Sequence, residues 1–195
     1  SNFSFGPHIV VCGRANRILE FVLRSSYSLH DTNVITVLYN SLVRSILEYC
    51  SVVWHPSHAG HCLQIERIQR RFLRYLYMRR YGYFLYLYPS DFLLGALGFF
   101  SLSFYRKVDL IKYFYAVLRG VVYLPSVLSE LRLLAPEHPR ALRSRPLFLP
   151  VSARTTVFAN SPLSLAVKYF NLMSPDVDLF IITWLDLIHY LRFNC

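Results

Sequence analysis

Four arginines, Arg67, Arg70, Arg71 and Arg74, fall at i, i+3, i+4 and i+7. On a helix that spacing gathers them on one face. Like charges at these offsets repel by about 0.2–0.5 kcal/mol per pair, and an anionic partner would offset that cost. A solvated face without a partner is the plain alternative. Arg79 and Arg80 extend the run, and Arg140, Arg143 and Arg145 form a second patch in a proline-rich stretch. A guanidinium makes forked contacts to phosphate and stacks on flat rings. The chemistry implied is therefore phosphate binding, which positions a nucleic acid without reading its sequence.

Other reactive residues are present but not in working arrangements. Cys50, His55, His58, His61 and Cys62 form the densest ligand cluster. Zinc needs four donors converging tetrahedrally. The spacing is feasible across a turn but matches no known zinc motif, and Cys50 reads as a small residue on an apolar helix face. No metal is expected. Asp176 and Asp178 form a D-x-D at a helix start, where acids favour the helix dipole. There is no glycine-rich phosphate loop and no Ser-His-Asp or Cys-His arrangement. The chain reads as non-catalytic, with no cofactor and no small-molecule substrate. Trp54 reads as a plug beside Tyr49 at a helix junction rather than as a base-stacking residue.

The composition fits this reading. The chain has 195 residues, 54% hydrophobic and 16% charged, with a formal net charge of +10. That supplies ample core material and excludes a disordered chain. Lys107, Lys112 and Lys168 are the lysines, so almost all positive charge is arginine. Aromatic residues make up 16%, mostly core candidates with some possible stacking surfaces. The cysteines Cys12, Cys50, Cys62 and Cys195 are scattered and do not form a secreted disulfide framework. The opening residues have no basic stretch before an apolar run, so secretion is not expected. The chain starts mid-pattern without Met and is expected to be a piece of something longer. Tyr81 to Tyr105 is the most apolar window, but Tyr88-Pro89-Ser90-Asp91 divides it into pieces shorter than the ~20 residues a spanning helix needs.

The elements that must position the arginines are helical. His8 to Arg24 has Ile9, Cys12, Ile18, Phe21 and Val22 on its apolar side. Asn33 to about Ser51, capped by Asp31 or Thr32, places Ile35, Leu38, Tyr39, Leu42, Ile46, Tyr49 and Cys50 on one face. The arginine helix runs from about Gly60 to Arg80, its other face formed by Ile65, Ile68, Phe72, Tyr75 and Leu76. Asp91 to Leu97 follows, with Ser90 as cap and Gly98 as the terminating residue. The next helix opens at Ser101 or Ser103 and ends near Arg119, stopped by Gly120. Its core face is Val108, Ile111, Tyr115 and Leu118, with Arg106, Lys107 and Lys112 off it. Ser126 to Leu134 starts at Pro125. Ala135 to Pro162 is a basic, irregular arm containing Arg154, with an extended piece at Leu147 to Val151. A helix from Ser161-Pro162 to about Met173 uses the N-cap and N1 positions. The last starts near Pro175-Asp176 and offers Leu179, Ile182, Leu185, Ile188 and Tyr190 for packing. The class is all-α, an irregular multi-helix bundle of roughly eight helices with a Pro/Arg-rich arm.

Three runs carry a resemblance: Leu38-Tyr39-Asn40-Ser41-Leu42-Val43-Arg44-Ser45-Ile46-Leu47-Glu48-Tyr49, then Val53-Trp54-His55-Pro56, then Ile65-Glu66-Arg67-Ile68-Gln69-Arg70-Arg71-Phe72-Leu73-Arg74. They resemble the segment just after the polymerase core in reverse transcriptases of non-LTR retrotransposons of the jockey type. There the pattern is LY-x-SLV-R-x-x-LEY, VW-x-P and IERIQR-x-FLR. Leu38, Tyr39, Glu48, Tyr49, Trp54, Pro56 and Phe72 are the matching framework positions. Tyr88-Pro89 through Gly98, Ser101-Leu102 with Arg106-Lys107, Arg154-Thr155 and Ser161-Pro162 match in order. His8 to Phe21 looks like the helix closing the thumb. Glu20 stands where Gly is common, and Tyr81 to Tyr88 is unusually aromatic, which fits a decayed element copy.

The resemblance implies residues 1–30 as the thumb end and connection and 31–134 as a helical core module. Residues 135–162 would be the basic arm, and 163–195 helices packing on the core. It implies RNA or DNA as partner, template RNA or an RNA–DNA hybrid tracked by the arginines, and upstream polymerase domains of the same polyprotein. Mg²⁺ would belong to those domains, which carry a Phe/Tyr-Ala-Asp-Asp turn that this chain lacks. The implied location is a retrotransposon ribonucleoprotein in nucleus and cytoplasm. Two alternatives stand beside it. One is a membrane-associated helical protein with Tyr81 to Tyr105 inserted and arginines on anionic headgroups. The other is a structural remnant whose apolar surface once met missing domains.

Overall fold

The computed structural model describes residues 6–54, 56, 59–83, 89–134, 146–152, 154–173 and 177–194. The fold is all-α. Among the described residues the regular elements are helical, apart from an isolated antiparallel bridge between Leu133 and Phe148. The chain divides into two compact units, Ser1–Arg106 and Lys107–Cys195.

The first unit is built on α1 (Gly6–Ser25), α2 (Thr32–Leu38), α3 (Ser45–Glu48), α4 (Ala59–Tyr81) and α5 (Ser90–Leu97). On α1 the buried stripe is Cys12, Ala15, Leu19 and Val22, a spacing of three, four and three that keeps to one side of the helix. Ile9 and Phe21 lie off that stripe and are exposed, contrary to the apolar face expected for them. Asp31 caps α2 as expected, its carboxylate accepting from the Asn33 amide at 2.8 Å.

Between α2 and α3 the backbone winds as a π-helix over Tyr39–Arg44. This corrects the expected continuous helix to Ser51 and changes its buried face. Ile35, Tyr39, Val43 and Leu47 are fully buried, each four residues after the last. In a regular α-helix a step of four overshoots one turn by about 40°, so such a row drifts. A π turn holds more residues, and the row stays on the core side. Leu42, Tyr49 and Cys50, expected inside, are exposed. Cys50 occupies the turn after α3 in a left-handed conformation, φ 53°, so it is not a core residue.

The centre of this unit is Tyr39 stacked on Phe72, ring centroids 3.8 Å apart and planes 5° from parallel. Phe99 meets both rings edge-on, the geometry that aromatic quadrupoles favour. Helix α5 begins at Ser90 itself, with Pro89 at the cap position and no side-chain cap. Its end is as expected: Gly98 is left-handed at φ 69°, and the Phe99 amide returns to the Leu94 carbonyl at 2.9 Å. Ser101 caps α6 (Leu102–Leu118) by accepting from the Phe104 amide at 3.1 Å.

The second unit contains most of α6, α7 (Pro125–Glu130), α8 (Thr156–Ala159), α9 (Pro162–Met173) and α10 (Trp184–Asn194). Pro125 sits in the first turn of α7, where its missing amide costs nothing. That helix is shorter than expected, because 132–134 instead pair with 147–149, the Leu134 amide bonding the Leu147 carbonyl at 3.0 Å. The extended piece expected at Leu147 is the other side of this pairing. Phe148 is held by Asn171, which accepts from its amide and donates to its carbonyl. Within the span expected to be irregular, Thr155 caps the single turn of α8. Ser161 caps α9, accepting from the Ser164 amide at 3.4 Å. The final helix starts at Trp184 rather than near Pro175. Thr183 and Asp186 form a reciprocal cap there, the Asp186 amide reaching the Thr183 hydroxyl. The delayed start puts Leu187 and Leu191 inside and leaves Leu185 exposed, which corrects its expected packing role.

Candidate nucleic-acid interface

Helix α4 is a 23-residue platform. Its inward side is Ile65, Ile68, Gln69, Phe72, Leu73, Leu76 and Tyr77, all buried. The burial is wider than the expected stripe because α1, α2 and α5 all pack on it. What remains outward is the arginine row. Arg67 and Arg71 are exposed, and Arg70 and Arg74 are half-buried at its edges. Together with Leu23 of α1 and with Tyr75 and Met78 they line a groove of about 560 Å³. The four residues singled out by spacing thus share one feature of the surface.

Glu20 of α1 accepts from Arg71 at 2.5 Å, both side chains about half exposed. A surface pair of this kind contributes about 0.2–1 kcal/mol and weakens with salt. It uses one edge of a guanidinium that has five donors. The Nε of Arg70 is buried without a hydrogen-bond partner. Arg70 also borders a smaller cavity of about 270 Å³ with Glu66, Gln69, Asp91 and Ser101.

Other arginines turn inward. Arg79 donates to the Leu29 carbonyl and, at 3.5 Å, to the Ser26 carbonyl. It thereby serves carbonyls just past the end of α1 instead of extending the outward row. Arg80 is exposed, its guanidinium 5.8 Å from the Tyr81 ring centroid. Arg106, expected off the core face, is only 4% exposed. It donates to the Leu47 carbonyl at 3.1 Å and lies 5.0 Å from the Trp54 ring centroid. Burial pulls its pKa below the ordinary guanidinium value, with Cys62, Glu66 and Glu48 acting in the opposite direction. Arg44 lies 3.6 Å from the Tyr105 ring centroid and pairs with Glu48 at 2.7 Å. Burial opposes its charge most strongly, but the Glu48 hydrogen bond together with the charges of Glu48, Tyr105 and Tyr39 outweighs it and its pKa is raised.

Trp54 donates to the Tyr49 carbonyl at 2.5 Å and packs against the core, as the plug reading expects. Tyr49 itself is 75% exposed. Of the candidate metal cluster, His55 and His58 lie outside the described residues, and Cys62 donates to the carbonyl of buried Pro56 at 3.2 Å. Among the described residues no group of three or more potential ligands comes together. Asp178 accepts from the Phe180 amide, while Asp176 lies outside the described residues. So do Arg140, Arg143 and Arg145. Leu23, Tyr75 and Met78 are the groove residues that spacing did not nominate, and Glu20 is the carboxylate that pairs with Arg71 beside them. Their signal is the packing of α1 on α4, which no local pattern announces.

No protein-family model matches the chain, and neither a curated protein nor a solved structure does. Among the described residues no helix is long and apolar enough to cross a membrane.

Proposed function

We propose that this chain is a nucleic-acid-holding helical module, a piece of a non-LTR retrotransposon RNA-directed DNA polymerase, without catalytic activity of its own. One observation carries the reading. The Arg67, Arg70, Arg71 and Arg74 row lines an outward groove, while Arg44, Arg79 and Arg106 are committed to internal partners. A basic surface kept outward although its members repel is what phosphate contacts require. The partner is RNA, DNA or their hybrid, bound through the backbone with little sequence preference. Upstream polymerase domains would supply the carboxylates and Mg²⁺, and the assembled particle would reside in cytoplasm and nucleus.

Salt titration tests this. The log of the association constant falls linearly with log salt, by about 0.7 per phosphate contact for single strands. Replacing the four arginines by Gln is expected to flatten that slope by up to about 3. An unchanged slope removes α4 from the binding site.

A second reading has its own observation. The second unit exposes Val121, Tyr123, Ile181 and Leu185, Tyr123 at 85%. Apolar surface of this extent suits a face that seats against further domains. Under that reading the chain is a structural remnant, and adding the upstream domains relieves aggregation without conferring nucleic-acid binding. A membrane-associated chain would instead partition into liposomes and stay there at high salt.

A further inference from the structure

We infer that the groove between α1 and α4 receives an unpaired nucleobase, so that the arginine face selects single-stranded nucleic acid over duplex. The inference rests on the arginine–phosphate reading and adds a base to it. The groove has two chemistries. Its lining has a charged part, the four arginines, here its rim, and an apolar part, Leu23, Tyr75 and Met78, here its floor. A duplex presents phosphate and sugar outward and keeps the flat faces of its bases stacked inside. It could engage the rim, but it has nothing apolar to offer the floor. A strand with free bases has both, because every base carries a π-face that stacks without regard to sequence.

The dimensions and the rigidity agree. A volume of about 560 Å³ lies within the usual range for pockets that enclose small flat ligands, roughly 300–1,000 Å³. The Tyr75 ring is anchored, since its hydroxyl shares a 2.9 Å hydrogen bond with Ser26. Ser26 is fully buried and bonds the Leu23 carbonyl at 3.1 Å. One residue therefore ties the α1 side of the floor to the α4 side. A ring already held in place loses little freedom when a base lies on it. With arginines on the rim, the phosphates flanking that base meet positive charge. Charge complementarity thus names the occupant that the apolar floor alone would leave open.

The experiment compares four ligands on the full chain by fluorescence anisotropy: single-stranded RNA, single-stranded DNA, an abasic strand of equal length and charge, and a duplex of that length. The base-bearing strands are expected to bind about tenfold tighter than the abasic strand, the size of one base–aromatic stack, and tighter than the duplex. Tyr75→Leu should abolish the advantage over the abasic strand. Tyr75→Phe, which keeps the ring, should retain it. Thermal melts of both variants confirm that they are folded. If Tyr75→Leu does not fold, Met78→Gln, a change at an exposed position, is expected to narrow the same gap. Equal binding of abasic and base-bearing strands, with a salt slope still set by the arginines, overturns the groove inference and leaves the phosphate reading standing. So does a preference for duplex. Binding of none of the four, or a slope indifferent to Arg→Gln, overturns both.

Discussion

Two sets of arginines in the first unit have the same side chain and opposite fates. Arg67, Arg70, Arg71 and Arg74 line the groove on the outside of α4. Arg44 and Arg106 lie against Tyr105 and Trp54. Each inward guanidinium has a fixed acceptor: the Glu48 carboxylate for Arg44 and the Leu47 carbonyl for Arg106. The Leu47 carbonyl lies in the last turn of α3, where carbonyls lack helical partners, and Glu48 offers a side-chain carboxylate from the same turn. Arg106 therefore satisfies a helix end and Arg44 pairs with a carboxylate one turn along its own chain, both guanidinium groups donating hydrogen bonds inside the protein. The other row lies along an intact helix whose own carbonyls are already bonded, with Arg67 and Arg71 exposed and Arg70 and Arg74 half-buried. The contrast teaches that an arginine's use is decided by which fixed acceptors lie within its reach.

That contrast can be broken by substitution, and the expected effects fall in a clear order. The largest is on binding by the outward row. Changing all four to Gln should weaken association on the order of a thousandfold at low salt. Unfolding free energy should move by no more than about 1 kcal/mol, since relief of repulsion offsets the lost Glu20 pair. A stability loss much above that would place these residues with the inward set. Next is Arg106→Ala, expected to lower unfolding free energy by about 2–4 kcal/mol, through a cavity and an orphaned Leu47 carbonyl. Per folded molecule its nucleic-acid affinity should be unchanged. Denaturant titration and anisotropy together check both halves.

Tyr39→Phe sharpens the comparison from the core. The Tyr39 hydroxyl is buried without a hydrogen-bond partner, so its removal should stabilise the fold by about 1 kcal/mol or leave it unchanged at neutral pH. Burial pushes the Tyr39 pKa well above its ordinary value near 10, with Arg44 opposing. Above that value the unfolded chain releases a proton that the folded chain keeps. The contribution of Tyr39 is therefore whole below pH about 10 and is lost as pH rises further. Melting curves across the alkaline range should show the decline in the parent. Tyr39→Phe should show a shallower one, with the remainder due to Cys12 and Cys62, whose thiols burial also pushes up. The smallest effect is expected of Glu20→Gln. It releases Arg71, raising affinity a few-fold and costing less than about 1 kcal/mol of stability. An affinity loss instead would mean that Glu20 orders the groove.

The two units differ in how much of them local pattern could reach. In the first, Asp31, Gly98 and the α4 boundaries follow from nearest-neighbour chemistry: a carboxylate over free amides, a residue without Cβ at a left-handed position, and an amphipathic repeat. The π segment did not follow, because a row at four-residue spacing looks like a drifting α stripe until its neighbours pull it straight. In the second unit α10 starts at Trp184, later than Pro175-Asp176 suggests. A proline and an aspartate signal a helix start locally, but the reciprocal Thr183–Asp186 cap sets the start. Leu185 changed sides as a result. Arg106 lies inside against expectation, because nothing beside it in the chain reveals that a helix end needs a donor.

By itself the sequence settled that the chain is helical, that α4 has a basic face, and where most caps lie, since these depend on residues within one or two turns. The tertiary structure decided which arginines stay outside and which seal an interior carbonyl. It also decided that Leu23 and Tyr75, far apart in the chain, floor one groove. Those outcomes depend on which helices touch. Packing of distant apolar stripes settles that, and charge spacing along one helix does not encode it.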